Sequence, residues 1–231
     1  MEGRMSHNPK LPLHRIATTA IYSGAPTASR PVYATSVKRS FDLLVTIVLA
    51  PFALAIIGIL ALLVCRDGGS AFYCQPRVGK NGNTFKLWKL RTMVPNADEH
   101  LRAYLEANPD ARKEWDSNQK LRDDPRITLV GKYLRKYSFD ELPQLWNVFV
   151  GDMSLVGPRP MMPDQRQYYP GTAYFTMRPG ITGLWQISER NDCTFAERAV
   201  HDNRYAGIMS FSLDLWILSK TPAVVLQGTG V

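Results

Sequence analysis

Leu43-Leu-Val-Thr-Ile-Val-Leu-Ala-Pro-Phe-Ala-Leu-Ala-Ile-Ile-Gly-Ile-Leu-Ala-Leu-Leu-Val64 is a run of 22 residues with no charge and one hydroxyl. About 20 apolar residues in a helix cross the hydrocarbon core of a bilayer, so the run reads as a membrane segment rather than the core helix of a soluble protein. Pro51 stands at its ninth position. Proline removes a helix hydrogen bond and crowds the preceding turn, so it kinks or breaks the helix there. Both flanks are basic: Lys38 and Arg39 precede the run, and Arg66, Arg77 and Lys80 follow it. Basic flanks favour the cytoplasmic face. A straight crossing would leave one flank on the wrong side, whereas a helix that turns back at Pro51 keeps both on one face. Backbone groups freed at such a break need partners inside the membrane. On these residues alone, a re-entrant helix and a kinked spanning helix both stand.

Residues 1–37 carry Pro9, Pro12, Pro26 and Pro31, many small and hydroxyl residues, and a single acid, Glu2. They read as a flexible basic tail. The apolar run begins too late for a secretory signal. Beyond Arg66 the pattern is mixed. Ala71–Val78 and Thr84–Thr92 flank an Asn-Gly pair, which predicts a β-hairpin. Helical spacing places Leu101, Tyr104 and Leu105 on one face over 97–107, and Pro109 opens a further stretch through Leu121. Ile127, Val130, Leu134 and Tyr137 recur at helical spacing with Lys132, Arg135 and Lys136 on the polar side, which predicts a basic amphipathic helix suited to anionic headgroups.

The 231-residue chain has 28 Lys+Arg against 20 Asp+Glu, a formal charge of +8 that points to anionic partners. Its three cysteines, with no CxxC pair, exclude a disulfide scaffold and suggest a reducing compartment. The chain has no dinucleotide-binding glycine fingerprint, P-loop, zinc-protease helix or serine elbow, and its four histidines lack ligand spacing.

Ser138-Phe-Asp-Glu-Leu-Pro-Gln-Leu-Trp-Asn-Val-Phe149 is the stretch where chemistry could reside, although an Asp-Glu pair taken alone is more often two acids complementing a helix dipole. Ser138 and Glu141 have capping-box spacing, although Pro143 fits a helix that starts one or two residues later. Either start puts Asp140 and Glu141 at the positive end of a helix, which favours carboxylate anions or a phosphate. An ionised Asp can attack phosphorus, and a neighbouring carboxylate can hold a divalent metal through oxygen. Adjacent acids fit a glycosidase badly, because that chemistry needs carboxyls on opposite sides of a bond. Gly157-Pro-Arg-Pro160 holds Arg159 on a stiff loop, and Arg178-Pro-Gly180 is a second turn with an arginine beside a proline. Guanidinium groups match phosphate geometry with paired hydrogen bonds. Phe85-Lys-Leu-Trp-Lys-Leu-Arg91 adds three cations. A membrane segment, an Asp-Glu pair and stiffly held cations together suggest phosphoryl transfer at a bilayer surface.

From Lys38 to Val231 these residues resemble the bacterial sugar transferases, or monotopic phosphoglycosyl transferases. The resemblance rests on Lys38-Arg-Ser-Phe-Asp42, the apolar run with its central proline, Phe85–Met93, Ser138–Asn147, Gly151–Pro160, Arg178–Gly183, Asp202 with Tyr205, and Leu213-Asp-Leu215. It implies a mixed α/β, mostly helical fold: a small membrane-associated catalytic domain over 66–231 with surface amphipathic helices, behind a re-entrant helix over 38–65 broken at Pro51. It further implies transfer of a hexose phosphate from a UDP-sugar to undecaprenyl phosphate, with release of UMP, to begin exopolysaccharide or other glycan synthesis. Asp140 is then the nucleophile and Glu141 the Mg²⁺ ligand, while Lys89, Arg135, Arg159, Arg178 and Asp202 lie around the phosphates. Where the family often has serine before the central proline, this chain has Ala50, which cannot satisfy a freed carbonyl. The chain is similar to the short galactosyl- or glucosyl-phosphate transferase form. The resemblance places it at the bacterial inner membrane with its catalytic domain on the cytoplasmic face, in contact with membrane lipid and with no nucleic-acid partner. Donor sugar and oligomeric state, a homo-oligomer included, stay open. The competing reading is a non-enzymatic membrane-anchored scaffold, which predicts no nucleoside monophosphate release from any nucleotide sugar.

Overall fold

A computed structural model describes residues 33–118, 121–188 and 195–228 of the chain. The tail reading of residues 1–37 falls mostly outside the described residues. Its last five, Tyr33–Val37, form a π-helical turn that leads into the first helix.

Helix α1, Lys38–Val64, is continuous through Pro51. The helix-breaking expectation for Pro51 is therefore not met as a gap: every residue on either side of it stays helical. The burial of α1 is inverted. Its buried positions include Lys38, Asp42 and Thr46, four residues apart on one face. Most of its large apolar side chains point outward, with Phe52 71% and Leu62 74% exposed. A soluble protein buries the second set and exposes the first. By length and composition α1 can cross a membrane.

Both ends of α1 are fastened to the domain that follows. At its start, Lys38 Nζ reaches the fully buried Asp214 Oδ2 at 2.5 Å, and Tyr33 and Tyr205 each donate a hydroxyl to the same carboxylate at 2.6 Å. Asp42 accepts from Ser154 Oγ at 2.7 Å and from the Leu155 amide at 3.3 Å. At its end, Val64 packs with Leu90 and Leu134. Arg91 donates to the Val64 carbonyl at 3.1 Å and grips Asp67 with two bonds of 2.5 and 2.7 Å.

Strands β1, Phe72–Val78, and β2, Thr84–Leu90, form the expected antiparallel hairpin. Asn81 and Gly82 both take positive φ in its turn, the conformation an Asn-Gly pair favours. Helix α2, Ala97–Ala107, follows where the spacing predicted it, and α3, Pro109–Asn118, occupies most of the stretch that Pro109 opens. Helix α4, Leu129–Lys136, is capped by Thr128, whose hydroxyl accepts from the Gly131 amide at 2.9 Å. The amphipathic reading of α4 needs correction at Arg135 alone, since Ile127, Val130 and Tyr137 are half-buried and Lys132 and Lys136 are exposed. Leu134 is buried as expected, but Arg135 turns inward to Thr92; Leu129 and Tyr133, outside the expected apolar face, are exposed. Gly131 lies against the same residue, where a Cβ would overlap the Thr92 carbonyl.

Helix α5, Gln144–Val150, begins directly after Pro143. Asn147 ties it to the hairpin: its Oδ1 accepts from the Trp88 amide at 3.1 Å and its Nδ2 donates to the Lys86 carbonyl at 2.7 Å. Strands β3, Ser154–Val156, and β4, Gly180–Thr182, pair in parallel. Backbone from the two segments meets so closely that a Cβ on Gly157 would strike the Arg178 carbonyl and one on Gly180 the Gly157 amide. Helices α6, Leu184–Ser188, α7, Phe195–Ile208, and α8, Phe211–Leu226, complete the described fold. The main core joins Leu87, Val148, Met153, Val156, Tyr205 and Ile217, so the hairpin, α5, β3, α7 and α8 share one interior. The architecture is mixed α/β and mostly helical, with one long apolar helix at its N-terminal side.

Candidate active site

Asp140 and Glu141 sit on a single 3-10 turn, Phe139–Glu141. The capping box does not form. Ser138 takes a left-handed backbone (φ 54) with no side-chain cap, and the Glu141 side chain turns away to the cations. Pro143 delays α5, so the carboxylates precede that helix by several residues instead of occupying its first turn. Cations, not a helix end, compensate them. Lys89 Nζ lies 3.3 Å from Asp140 Oδ2 and 2.8 Å from Glu141 Oε1, and Arg159 reaches the same Glu141 oxygen at 3.3 Å. Lys89 comes from the end of β2, held in register by the Asn147 bonds one and three residues upstream.

These contacts set the charges. Burial pushes the Asp140 carboxyl up; Lys89 offsets part of that push and adjacent Glu141 adds to it, leaving a net rise. Burial also acts on Glu141, but Lys89 and Arg159 outweigh it and hold that carboxyl at about 2. The pair therefore has one firmly ionised acid and one buried acid with a raised proton affinity.

The dyad opens onto a cavity of about 1790 Å³ whose lining includes Lys89, Arg135, Asp140, Glu141, Arg159 and Asp202. Six of the seven chemical residues expected from sequence thus come together. Arg135 is oriented by a 2.9 Å bond from Nε to Thr92 Oγ1. Asp202 accepts the Tyr169 hydroxyl at 2.6 Å, and burial pushes its carboxyl up to about 7. Arg178 is the exception. Its Nε donates to the Gly151 carbonyl at 2.8 Å, beside Arg39, which donates to the Val148 and Phe149 carbonyls at 2.6 and 2.9 Å. Arg178 thus joins Arg39 in closing the C-terminal end of α5 and does not line the cavity. The wall also contains Arg77, Thr92 and Tyr169, which the sequence reading did not assign to the site. Strand alternation could have found Arg77: it shares a face with Tyr73, which pairs directly with Lys89.

Residues 33–228 match the family described as bacterial sugar transferase. The chain belongs to that family. Exopolysaccharide production protein ExoY of Sinorhizobium fredii (strain NBRC 101917 / NGR234) is 48% identical to it over 221 residues, covering 92% of this chain and 96% of its own length. The UDP-galactose-lipid carrier transferase of Erwinia amylovora is 47% identical over 195 residues, 84% of this chain and 41% of that protein. The undecaprenyl-phosphate galactose phosphotransferase of Salmonella typhimurium (strain LT2) is 46% identical over 195 residues, with the same coverage. The chain spans about two fifths of each of the last two. This sugar transferase is an enzyme of the phosphoglycosyl transferase class, which sets aside the scaffold reading.

Proposed function

We propose that this sugar transferase moves a hexose phosphate from a UDP-sugar to undecaprenyl phosphate through a covalent phosphosugar on Asp140, as the first step of exopolysaccharide synthesis. In the first half-reaction an Asp140 oxygen attacks the phosphorus that bears the sugar. The phosphoanhydride bond to UMP breaks, and UMP leaves with the electron pair. In the second, an oxygen of undecaprenyl phosphate attacks the same phosphorus, and the carboxylate of Asp140 is released. One phosphoanhydride is broken and another made, so no external energy source is required. The covalent step lets a water-soluble and a lipid substrate use one site in turn.

The observation that carries this reading is the buried Asp140 beside an ionised Glu141 in a cavity walled by Lys89, Arg135 and Arg159. Lys89 keeps a population of Asp140 ionised, and the arginines oppose the charge that develops on the leaving phosphate. Mg²⁺ fits this donor set. Among the described residues no group of three or more metal-ligating side chains exists, and Mg²⁺ is commonly held by one or two carboxylates with water and substrate phosphates. Glu141 would hold it, since both of that residue's cation contacts fall on Oε1. When bound there, the ion would supply charge neutralisation during phosphoryl transfer.

The same reading places the domain on the cytoplasmic face of the inner membrane, with α1 re-entrant. A straight helix the length of α1 would extend about 40 Å at 1.5 Å per residue, more than the hydrocarbon thickness of a bilayer. Both of its ends are bonded to one domain. A bend at Pro51 within the continuous helix would let α1 enter and return on one face, with its exposed apolar side chains in lipid.

The test is UMP release by the purified protein with undecaprenyl phosphate, Mg²⁺ and a panel of UDP-sugars, UDP-galactose first because two relatives are named for galactose. Lipid-dependent UMP release that Asp140→Asn abolishes is the expected result. No release from any UDP-sugar would overturn the reading.

A further inference from the structure

We propose that Arg77 is a phosphate-binding residue of the cavity, acting with Arg159 on the same phosphate group of a substrate. In the sequence Arg77 is one cation of a basic flank; in the fold it is a wall of the site. Its guanidinium is held in place by neutral acceptors alone, Gln75 Oε1 at 2.6 Å and the Pro160 carbonyl at 3.3 Å. The second of these bonds ties it to the residue that follows Arg159. Its Nε is buried without a hydrogen-bond partner.

The charges around the dyad do not cancel. Lys89 and Arg159 contact the two carboxylates, Arg135 acts on Asp140 through space, and Arg77 acts on Glu141 in the same way. Four cations face two carboxylates, an excess of two positive charges. Burial, and then the adjacent Arg159 cation, push the Arg77 guanidinium below its usual range. Two guanidinium groups facing a common cavity without a carboxylate of their own for Arg77 repel each other, and a buried charge without a counter-ion is costly. A phosphate group removes both costs and matches the forked geometry of arginine. Arg77 and Arg159 stand together along the Pro160 side, while Arg135 reaches in from α4, so two phosphates can be held by separate cations. A donor pyrophosphate supplies two. The lipid acceptor brings one to a site that already bears the phosphosugar.

The proposal rests on the sugar-transferase reading for the identity of its ligands but not for its test. The full chain in detergent, with Mg²⁺ fixed, is titrated with inorganic pyrophosphate, UDP and uridine. Arg77→Gln is expected to weaken pyrophosphate and UDP binding about tenfold to a hundredfold, the range for loss of a charge-assisted hydrogen bond, and to leave uridine binding unchanged. Arg77→Lys, which keeps the charge but not the fork, is expected to fall between and serves where the glutamine variant does not fold. Steady-state kinetics separate the sources: a raised KM for the UDP-sugar assigns Arg77 to the donor pyrophosphate, and a raised KM for undecaprenyl phosphate assigns it to the lipid phosphate. Equal pyrophosphate affinity in wild type and a folded variant, no pyrophosphate binding by wild type, or parallel loss of uridine binding would overturn it. Failure of the wild type to bind UDP while it binds pyrophosphate would instead count against the UDP-sugar reading alone.

Discussion

On the proposed function Asp140 meets opposed requirements: the burial that would keep water from a phosphorylated carboxyl also raises its affinity for a proton. Only the ionised form is a nucleophile, so the rate of the first half-reaction should fall on the acid side at a pH above the ordinary aspartate value. Lys89 opposes that rise, and its loss moves the fall to higher pH. Lys89→Met is thus predicted to shift the acid limb of UMP release upward, read from single-turnover rates across pH; an unchanged limb would show that Lys89 does not set the charge of Asp140. Asp202 makes a second prediction. Burial holds its folded carboxyl at about 7 against an ordinary 3.8, so the native state binds the proton more tightly than the unfolded chain. Its contribution to stability is full below the unfolded value and is lost as pH rises through 7. Asp202→Asn keeps an acceptor for the Tyr169 hydroxyl and should be more stable than wild type above pH 7, by at most about 4 kcal/mol at about 1.4 kcal/mol per pKa unit, with the gain vanishing near pH 4. Denaturant melts at the two pH values check this. The Asp-Glu pair itself was legible because adjacent acids beside stiff arginines are unusual in a chain. The pairing with Lys89 was not, since it depends on hairpin register and on Asn147, which are long-range facts.

Local signals governed the elements that were read well. Asn81-Gly82 fixed the hairpin, and the spacing of Leu101, Tyr104 and Leu105 fixed α2. Where tertiary contact decides orientation, sequence reading erred. Arg135 shares the polar side of α4 with Lys132 and Lys136, yet Thr92 draws it inward. Arg178 sits beside a proline as Arg159 does, yet it serves the carbonyl end of α5. Ser138 and Glu141 have the spacing of a cap, but Pro143 and the pull of Lys89 on the Glu141 carboxylate defeat it. The start of α1 shows the same dependence on distant partners. Lys38 is one charge of a basic flank until Asp214, 176 residues on, makes it a buried anchor. Its removal would leave a fully buried carboxylate with only two hydroxyl donors. Lys38→Met is therefore predicted to cost about 3 kcal/mol, the lower part of the range for breaking a buried ion pair. The measurement is thermal and denaturant unfolding in detergent. Wild-type stability would mean that the two tyrosines suffice and that α1 is not fastened by its lysine.

In the molecule as a whole, the polar face of α1 is turned into the protein and its apolar face outward, with both ends bound to the domain that carries the dyad. The long apolar run was plain in the sequence because hydropathy needs no partner to be read. The sequence did not make plain that the charges ahead of the run are structural: Lys38 and Arg39 act on Asp214 and the α5 carbonyls respectively. This arrangement holds Asp140 in a cationic cavity tied to an apolar-surfaced helix, and on the proposed function a soluble donor and a lipid acceptor would be served there in turn. The account stands on the covalent step at Asp140. The most direct measurement is a single turnover of purified protein with donor labelled in the sugar-bearing phosphate, without lipid, followed by peptide mapping. The predicted result is one equivalent of UMP released and one labelled adduct on Asp140, discharged by undecaprenyl phosphate and absent from Asp140→Asn. A label on another side chain, or lipid-dependent turnover with no adduct at any time, would contradict it.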